Sequence, residues 1–419
     1  MQKARNVVSD GPMTADATAL FRTLTAIDGR GYGVYKQLKG SYDLGACRLV
    51  VDHVQVDPYA PPSLMRIVVD RARADLPQDL LSDHRGRVAA TDFLARAVAR
   101  AAAELGEGIS AGAPGQEVLE RTSVALTSEG VDARLAVPLP AAGRRIRGRE
   151  AARLLTEHLP RLAEAALLHA SLDASALRDH VTLHRDQEAL RDQLTGRGLV
   201  AFVGDGAILP RRSGDSDLPL ADGAVPFVSP DSLRVWFDLP SGRRASGMGV
   251  PDGVTVIVGG GYHGKSTVLR ALAKGVYPHR AGDGREWVIT RATAAALRAE
   301  DGRAVTGVDI SPFLTGLPSG TDTRAFSTTN ASGMCVARTG PSGWKRVTHW
   351  WIGRPCSSAR RIASSRTRSR SGSRPVVSTS ITAKRGVPDR AEGGDADGAE
   401  ARPRKRSSSP TRILSGQGW

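Results

Sequence analysis

The segment GGGYHGKST, Gly259 to Thr267, constrains this chain more than any other part of it. It has the spacing G-x-x-x-x-G-K-[ST] of a phosphate-binding loop. The run of β-branched residues from Val254 to Val258 is typical of a buried strand, and the residues from Ser266 to Lys274 predict a helix that ends at Gly275. A strand, this loop and a helix in that order surround phosphate oxygens with main-chain N–H groups. The sequence therefore predicts a nucleotide site in an α/β fold.

The chemistry of the motif assigns a role to each residue type. Glycines allow the tight turn, Lys265 is expected to reach the β- and γ-phosphates, and the Ser266 hydroxyl is expected to ligate Mg²⁺. The alternative is a glycine-rich turn that arose by chance, which the correct flanks on both sides disfavour. The residues predicted to bind ATP are Gly259, Gly260, Gly261, His263, Gly264, Lys265, Ser266 and Thr267.

The positive charge of the chain is concentrated at its C-terminal end. The whole sequence has 58 Lys and Arg against 43 Asp and Glu, whereas residues 334–419 alone hold 18 basic and 5 acidic residues. Residues 1–333 are left with 40 basic and 38 acidic residues, which is an ordinary near-neutral balance. The basic isoelectric point therefore says nothing about nucleic-acid binding by the first 333 residues.

The tail, residues 334–419, is too poor in large aliphatic residues to form a core. Ser and Arg dominate it from Ser357 to Arg374, and Leu414 is its single leucine. One interpretation is a disordered basic arm that binds nucleic acid electrostatically. The other, which the abrupt change in composition at Gly333 favours, is translation in a shifted reading frame of a GC-rich gene.

The first 333 residues are long enough for two domains with their own cores. The N-terminus lacks the apolar segment of a signal peptide, and no stretch approaches the length of a membrane span. Cys47 is the single cysteine of this part, so no disulfide forms within it. These features predict a cytoplasmic protein with no membrane partner.

The pattern along the chain predicts four regions. They are a flexible lead (1–13), an N-terminal α+β domain (14–224), the first half of a P-loop ATPase domain (225–333) and the disordered basic tail (334–419). The segment 27–45, rich in Gly and Tyr, is either a loop that brings the backbone close to a ligand or a turn packed by its own tyrosines. The basic run 144–149 is either a solvated face or a phosphate contact, and Trp236 is either an adenine-stacking or a surface residue.

Several blocks of sequence resemble the predicted ABC-class ATPase family, a group of P-loop proteins. Besides the loop itself, they are IDGRGYGVYKQLKG (27–40), PGQEVLERT (114–122), LVAFVGDGAILPRRSG (199–214), GDGREWVIT (282–290), AEDGRAVTGVDISPF (299–313) and FSTTNASG (326–333). The resemblance covers nearly all of residues 20–333. It implies ATP binding and hydrolysis on a cassette-type fold with a family-specific N-terminal region, and it leaves RNA open as a partner.

The resemblance also implies residues that the chain retains and others that it lacks. Asp309 is expected to sense the γ-phosphate and the metal, or else to cap a turn. The family's signature segment begins at Ala331–Gly333 and is then interrupted, and no apolar strand ending in adjacent acids follows it. A cassette ATPase needs those acids to hold Mg²⁺ and to polarise the attacking water. The sequence therefore assigns no catalytic residue, and predicts that hydrolysis and the family's nucleotide-sandwich dimer are lost. The alternative function is a non-hydrolysing nucleotide- or RNA-binding module.

Overall fold

The structure is a computed structural model, and it describes residues 15–253, 255, 257, 263–311, 320 and 322–338. Its helices and strands, in chain order, are β1 (Ala15–Asp16), α1 (Ala17–Ala26), β2 (Gly40–Asp43), β3 (Arg48–His53), β4 (Ser63–Asp70), α2 (Arg71–Ala74), α3 (Gln78–Leu81), α4 (His84–Leu105), β5 (Val124–Leu126), β6 (Gly130–Val137), β7 (Ala141–Ala142), β8 (Arg145–Ile146), α5 (Gly148–Arg153), α6 (Leu159–Leu167), α7 (Ala174–Gly196), β9 (Leu199–Gly204), β10 (Arg234–Asp238), β11 (Arg244–Pro251), α8 (Lys265–Lys274), β12 (Val288–Thr290), β13 (Ala294–Val308) and β14 (Phe326–Arg338).

The N-terminal half is built on a six-stranded sheet of order β1-β2-β3-β4-β6-β5. The alternating pattern in β3 and β4 buries one face, and α4 and α6 pack against one another beside the sheet. The helix α4 begins where the Asp83 carboxylate accepts a hydrogen bond from the Gly86 N–H, and it ends at Gly106 in the left-handed conformation. The first two turns of this helix consist mostly of polar or small residues.

The helix α7 belongs to both halves of the protein. Leu177 and Val181 lie in the core of the N-terminal half, whereas Leu190 and Leu194 pack with Phe202 in a second cluster. Asp173 caps the helix, and its carboxylate accepts a hydrogen bond from the Ala176 N–H. One helix therefore supplies apolar side chains to the cores on either side of it.

The second half contains a four-stranded sheet of order β10-β11-β9-β12, in which all three pairings are antiparallel. The predicted N-terminal domain (14–224) includes the residues of β9, yet β9 lies between β11 and β12 in the second sheet. Phe202 of β9 and Phe237 of β10 meet edge to face, with ring centroids 5.2 Å apart. Strands from both sides of residue 224 therefore share one sheet and one core.

The structure distinguishes between the two arrangements predicted for the segment 27–45. The glycine- and tyrosine-rich segment forms a 3₁₀ helix over Tyr32–Leu38, in which Tyr32 and Tyr35 are buried and contact one another. The structure thus shows the self-packed arrangement.

The predicted disordered tail begins at residue 334, whereas strand β14 continues past Gly333 to Arg338 and pairs with β13. A main-chain ladder requires no particular side chains. The predicted lead and residues 339–419 lie outside the described residues.

Candidate nucleotide-binding site

The described part of the phosphate-binding motif lies at the start of α8. Gly264 is the N-cap, with φ of 78°, and Lys265, Ser266 and Thr267 form the first turn of the helix. A left-handed φ strongly favours glycine, which explains why the motif requires it at this position. The first N–H groups of a helix have no partner within it, so the main chain of this turn presents donors to an anion. Gly259, Gly260 and Gly261, and most of the predicted strand 254–258, lie outside the described residues.

The side chains of this turn suit a phosphate ligand. Ser266 and His263 are exposed, Lys265 and Thr267 are half-buried, and the first turn of α8 carries no acidic residue. The helix dipole places partial positive charge at this end, and Lys265 adds a full charge. The sequence therefore brings His263, Gly264, Lys265, Ser266 and Thr267 together at one helix end as predicted, while their binding roles stay predictions.

Packing against the second sheet fixes the direction of α8. Val268, Ala271 and Leu272 are buried in the same cluster as Val203 and Val288, and Ile257 packs against that cluster. This position of Ile257 is consistent with the buried segment predicted ahead of the loop. The helix therefore rests on the sheet through one apolar face, while the residues of its first turn are half-buried or exposed.

The end of α8 fits closely against β12. A Cβ on Gly275 would lie 2.7 Å from the Val288 carbonyl oxygen, so this position has no room for a side chain. The Thr290 hydroxyl donates a 2.6 Å hydrogen bond to the Leu272 carbonyl oxygen. These contacts hold the helix and β12 together at a fixed separation.

Asp309 follows β13 and is exposed. Its Oδ1 accepts a 2.9 Å hydrogen bond from the Ser311 N–H, and hydrogen bonding from Ser311 lowers the pKa of the Asp309 carboxyl. That is the geometry of a turn aspartate. Its predicted role toward the γ-phosphate and metal stays a prediction.

Ser266 is the described residue of the loop that the motif assigns to Mg²⁺. Within the described ranges no group of three or more His, Cys, Asp or Glu side chains could hold a metal ion. Mg²⁺ commonly binds through one or two protein oxygens together with substrate phosphates and water. The exposed Ser266 hydroxyl beside the phosphate-binding turn fits that kind of site.

Trp236 lies on the exposed face of β10, with 48% of its surface accessible. The Arg244 guanidinium lies 6.0 Å from its ring centroid. These contacts are those of a surface tryptophan. The predicted alternative, stacking on adenine, stays a prediction.

Sequence reasoning did not find the contacts at the other end of α8. The Lys274 ammonium donates a 2.9 Å hydrogen bond to Oε1 of Glu117, a residue of the N-terminal half. Burial raises the pKa of Glu117, but the hydrogen bonds from Lys274 and from its own main chain, together with the charges of Lys274 and His279, lower it overall. The hydrogen bond with Glu117 also raises the pKa of Lys274. The two residues lie 157 positions apart in the sequence, so spacing carried no signal of this pair.

A buried carboxylate holds the segment that carries Glu117. Asp92 has no exposed surface, and its oxygens accept hydrogen bonds of 2.7 Å from Arg96 and 2.8 Å from Arg121. His180 of α7 lies 3.3 Å away. Burial raises the pKa of Asp92, yet the His180 and arginine contacts lower it to about 2. The Asp92 side chain is therefore charged at neutral pH despite full burial.

Comparison with known proteins agrees with this architecture. The second sheet, with the glycine–lysine start of α8, has the features of a P-loop domain, and the six-stranded sheet forms a separate N-terminal domain. A family model for the N-terminal domain of ATPases of the ABC class matches residues 17–170, and the model for the P-loop domain of the ABC ATPases matches residues 173–338. The chain belongs to the ABC-class ATPase family, as its sequence motifs predicted.

A curated relative covers part of the chain. An uncharacterized protein of Methanocaldococcus jannaschii is 32% identical over 148 residues, which is 32% of this chain and 32% of that protein. The chain thus matches about a third of the length of that relative. No helix among the described residues combines the length and the apolarity needed to cross a membrane.

Proposed function

We propose that this protein binds ATP with Mg²⁺ at the N-terminal turn of α8. The observation that carries the proposal is the left-handed Gly264 followed directly by Lys265 and Ser266 at a helix start free of acidic residues. Gly259, Gly260, Gly261 and His263 complete the loop in the sequence, and Thr267 extends the turn. Asp309 is proposed as a second metal contact that senses the γ-phosphate.

The metal part of the proposal is tested by comparing ATP affinity with and without Mg²⁺. The Ser266→Ala variant should lose most of the Mg²⁺-dependent gain in affinity, because its hydroxyl is the proposed metal ligand. Ser216→Ala, at a serine far along the chain from the loop, is the control. An equal Mg²⁺ dependence in Ser266→Ala and in the unmodified protein would exclude Ser266 as a ligand.

We further propose that the chain as written hydrolyses ATP barely or not at all. The sequence after Gly333 supplies no apolar strand that ends in adjacent acids, and Asp389, Glu392 and Asp395 lie in a run of Gly and Ala. A single positioned acid or base typically contributes about 10²- to 10⁴-fold in rate. The interrupted signature segment also removes the surface through which family members would pair around nucleotide.

Phosphate release tests this second part. The protein is compared with a version whose other reading frame is restored after the Gly333 codon. Turnover that requires Lys265 is expected from the restored version alone. Robust, Lys265-dependent turnover by the unrestored chain would show that residues 334–419 supply catalytic groups.

RNA is a second candidate ligand, and one surface favours it. The segment around Arg30 pairs with the β8 hairpin: the Gly29 N–H donates to the Ile146 carbonyl oxygen, and the Ile146 N–H donates to the Arg30 carbonyl oxygen. This pairing places Arg30, Arg144 and Arg145 at one exposed surface, and 79% of the Arg144 side chain is accessible. A cluster of exposed arginines suits contacts with a phosphate backbone.

Salt dependence separates this surface from the basic tail. We expect a single-stranded RNA to bind more weakly as salt rises, and replacing Arg144 and Arg145 by alanine should reduce the slope by about 0.7 for each phosphate that is no longer neutralised. Arg178→Ala, at another exposed arginine, is the control. Loss of binding on deletion of residues 334–419, with the arginine variants unchanged, would assign RNA binding to the tail instead.

The boundary between the two domains is proposed to lie near residues 170–173 rather than at 224. This rests on β9 pairing with both β11 and β12.

A cytoplasmic location is proposed because Cys47 is a buried free thiol.

A further inference from the structure

The N-terminal domain holds the segment that directly follows the proposed nucleotide-binding helix. The Val118 N–H donates to the Pro278 carbonyl oxygen at 2.8 Å, and the Arg280 N–H donates to the Gln116 carbonyl oxygen at 3.0 Å. Residues 116–118 thus form a short antiparallel pairing with residues 278–280. The two partners belong to the separate regions matched by the two family models, 17–170 and 173–338.

A side-chain contact places the same loop against α8 itself. Lys274 is the last residue of α8, and its ammonium binds the Glu117 carboxylate, whose side chain is only 14% exposed. A cation at a helix C-terminus is favoured by the helix dipole, and a largely buried acceptor is screened less by water than a surface one. Lys274 has a second, longer contact of 3.7 Å with Asp217, which is 64% exposed and lies in the same domain as α8.

The Glu117 segment is in turn fixed to the N-terminal core. The Glu117 carbonyl oxygen accepts hydrogen bonds from Arg96 at 2.9 Å and from Arg121 at 2.8 Å. Both guanidinium groups also bind the fully buried Asp92 carboxylate. Glu117 is therefore attached to a rigid cluster through its main chain and to the end of α8 through its side chain.

We infer that Glu117 is a positioning residue for the nucleotide site, and that through Lys274 it links nucleotide binding at one end of α8 to the N-terminal domain at the other. A short α-helix bends little along its axis, so a ligand that fixes its first turn also restricts the motion of its last turn. Linkage is reciprocal: nucleotide should stabilise the pairing of 116–118 with 278–280, and removal of the Glu117–Lys274 pair should weaken nucleotide binding. This inference rests on the proposed function.

Hydrogen exchange of the full chain tests the link directly. The probe is the non-hydrolysable ATP analogue AMP-PNP with Mg²⁺, and exchange is followed in peptides that cover α8 and residues 116–118. We expect the analogue to slow exchange in both segments of the unmodified protein, and in α8 alone in Glu117→Gln. Asp217→Asn, which removes the other partner of Lys274, should behave like the unmodified protein.

The affinities of Glu117→Gln, Lys274→Gln and the double variant for the same analogue form a second readout. Each single change should weaken binding about fivefold or more, and the double variant should be no weaker than either, because both remove the same ion pair. Slowed exchange in α8 with no change at 116–118 in the unmodified protein, or additive effects in the cycle, would overturn the link. No change in either segment would overturn the proposed nucleotide site itself, and with it this inference.

Discussion

The Thr290 hydroxyl donates to the carbonyl oxygen of Leu272, which joins β12 to the last turns of α8, the helix whose first turn carries the predicted phosphate-binding residues. The Thr290 N–H also donates to the Gly275 carbonyl oxygen at 2.8 Å. Two donor groups of one buried threonine therefore bind the end of α8. The position of the proposed nucleotide site consequently depends on contacts at the opposite end of the helix.

Thr290→Val should lower the free energy of unfolding by about 1–3 kcal/mol. The replacement preserves shape but leaves a buried carbonyl oxygen without its side-chain donor. Thr25→Val, which removes a similar hydrogen bond to the Phe21 carbonyl oxygen in a more exposed part of α1, should cost less. Denaturant unfolding of the two variants measures the difference. Equal destabilisation would mean that the Thr290 contact contributes nothing beyond an ordinary helix bond.

Asp92→Asn should destabilise the protein by about 3–5 kcal/mol, because it leaves two guanidinium groups largely buried without their shared anion. Asp52→Asn, which weakens the more exposed pair with Arg66, is the matched control and should cost about 1 kcal/mol or less. Chemical denaturation followed by circular dichroism gives both values. A destabilisation at Asp92 no larger than that at Asp52 would contradict the assigned role of the cluster.

His184 should make the protein sensitive to mild acid. Burial, together with the nearby positive charges of His180, Arg191 and Arg85, lowers the pKa of His184 from 6.5 to about 4 against the opposing effect of Asp92. Among the described residues, its buried Nδ1 has no hydrogen-bond partner. Because the folded-state pKa is depressed, the contribution of neutral His184 is complete above pH 6.5 and is lost as the pH falls toward 4.

The slope of stability with pH between 6.5 and 5 measures this effect, since one proton taken up on unfolding corresponds to about 1.4 kcal/mol per pH unit. His184→Gln should flatten the slope by about that amount at the lower end of the range. His53→Gln, at an exposed histidine, should leave the slope unchanged. An unaltered slope in His184→Gln would show that other groups govern the response.

Local patterns predicted the elements that depend on local signals. The helix after the predicted phosphate-binding loop and the glycine before Lys265 each have a physical cause within a few residues, and each is found in the structure. The sequence suggested a domain boundary at residue 224, and the boundary is now proposed earlier in the chain. A long loop separates β9 from β10 and β11 in the sequence, yet all three strands belong to one sheet. The Glu117–Lys274 pair joins residues 157 positions apart, and no spacing rule relates them.

The alternatives left open by the sequence depend on packing and on ligands. A run of Gly and Tyr suits both a ligand loop and a self-packed turn, and only the burial of Tyr35 and its 2.8 Å hydrogen bond to the Pro140 carbonyl oxygen separate the two. The residue type of Asp309 alone is compatible both with a metal contact and with a turn cap. Its hydrogen bond from Ser311 shows the turn geometry, and its role toward a nucleotide depends on the ligand.

The most direct test of the account is an equilibrium titration of the full chain with ATP and Mg²⁺, comparing Lys265→Ala with the unmodified protein. Charge-assisted hydrogen bonds contribute about 1.5–3 kcal/mol, so the dissociation constant should rise about 10- to 100-fold or more. Lys36→Ala, at an exposed lysine of the N-terminal domain, should bind as the unmodified protein does. Unchanged affinity in a folded Lys265→Ala protein would contradict the nucleotide site at the start of α8.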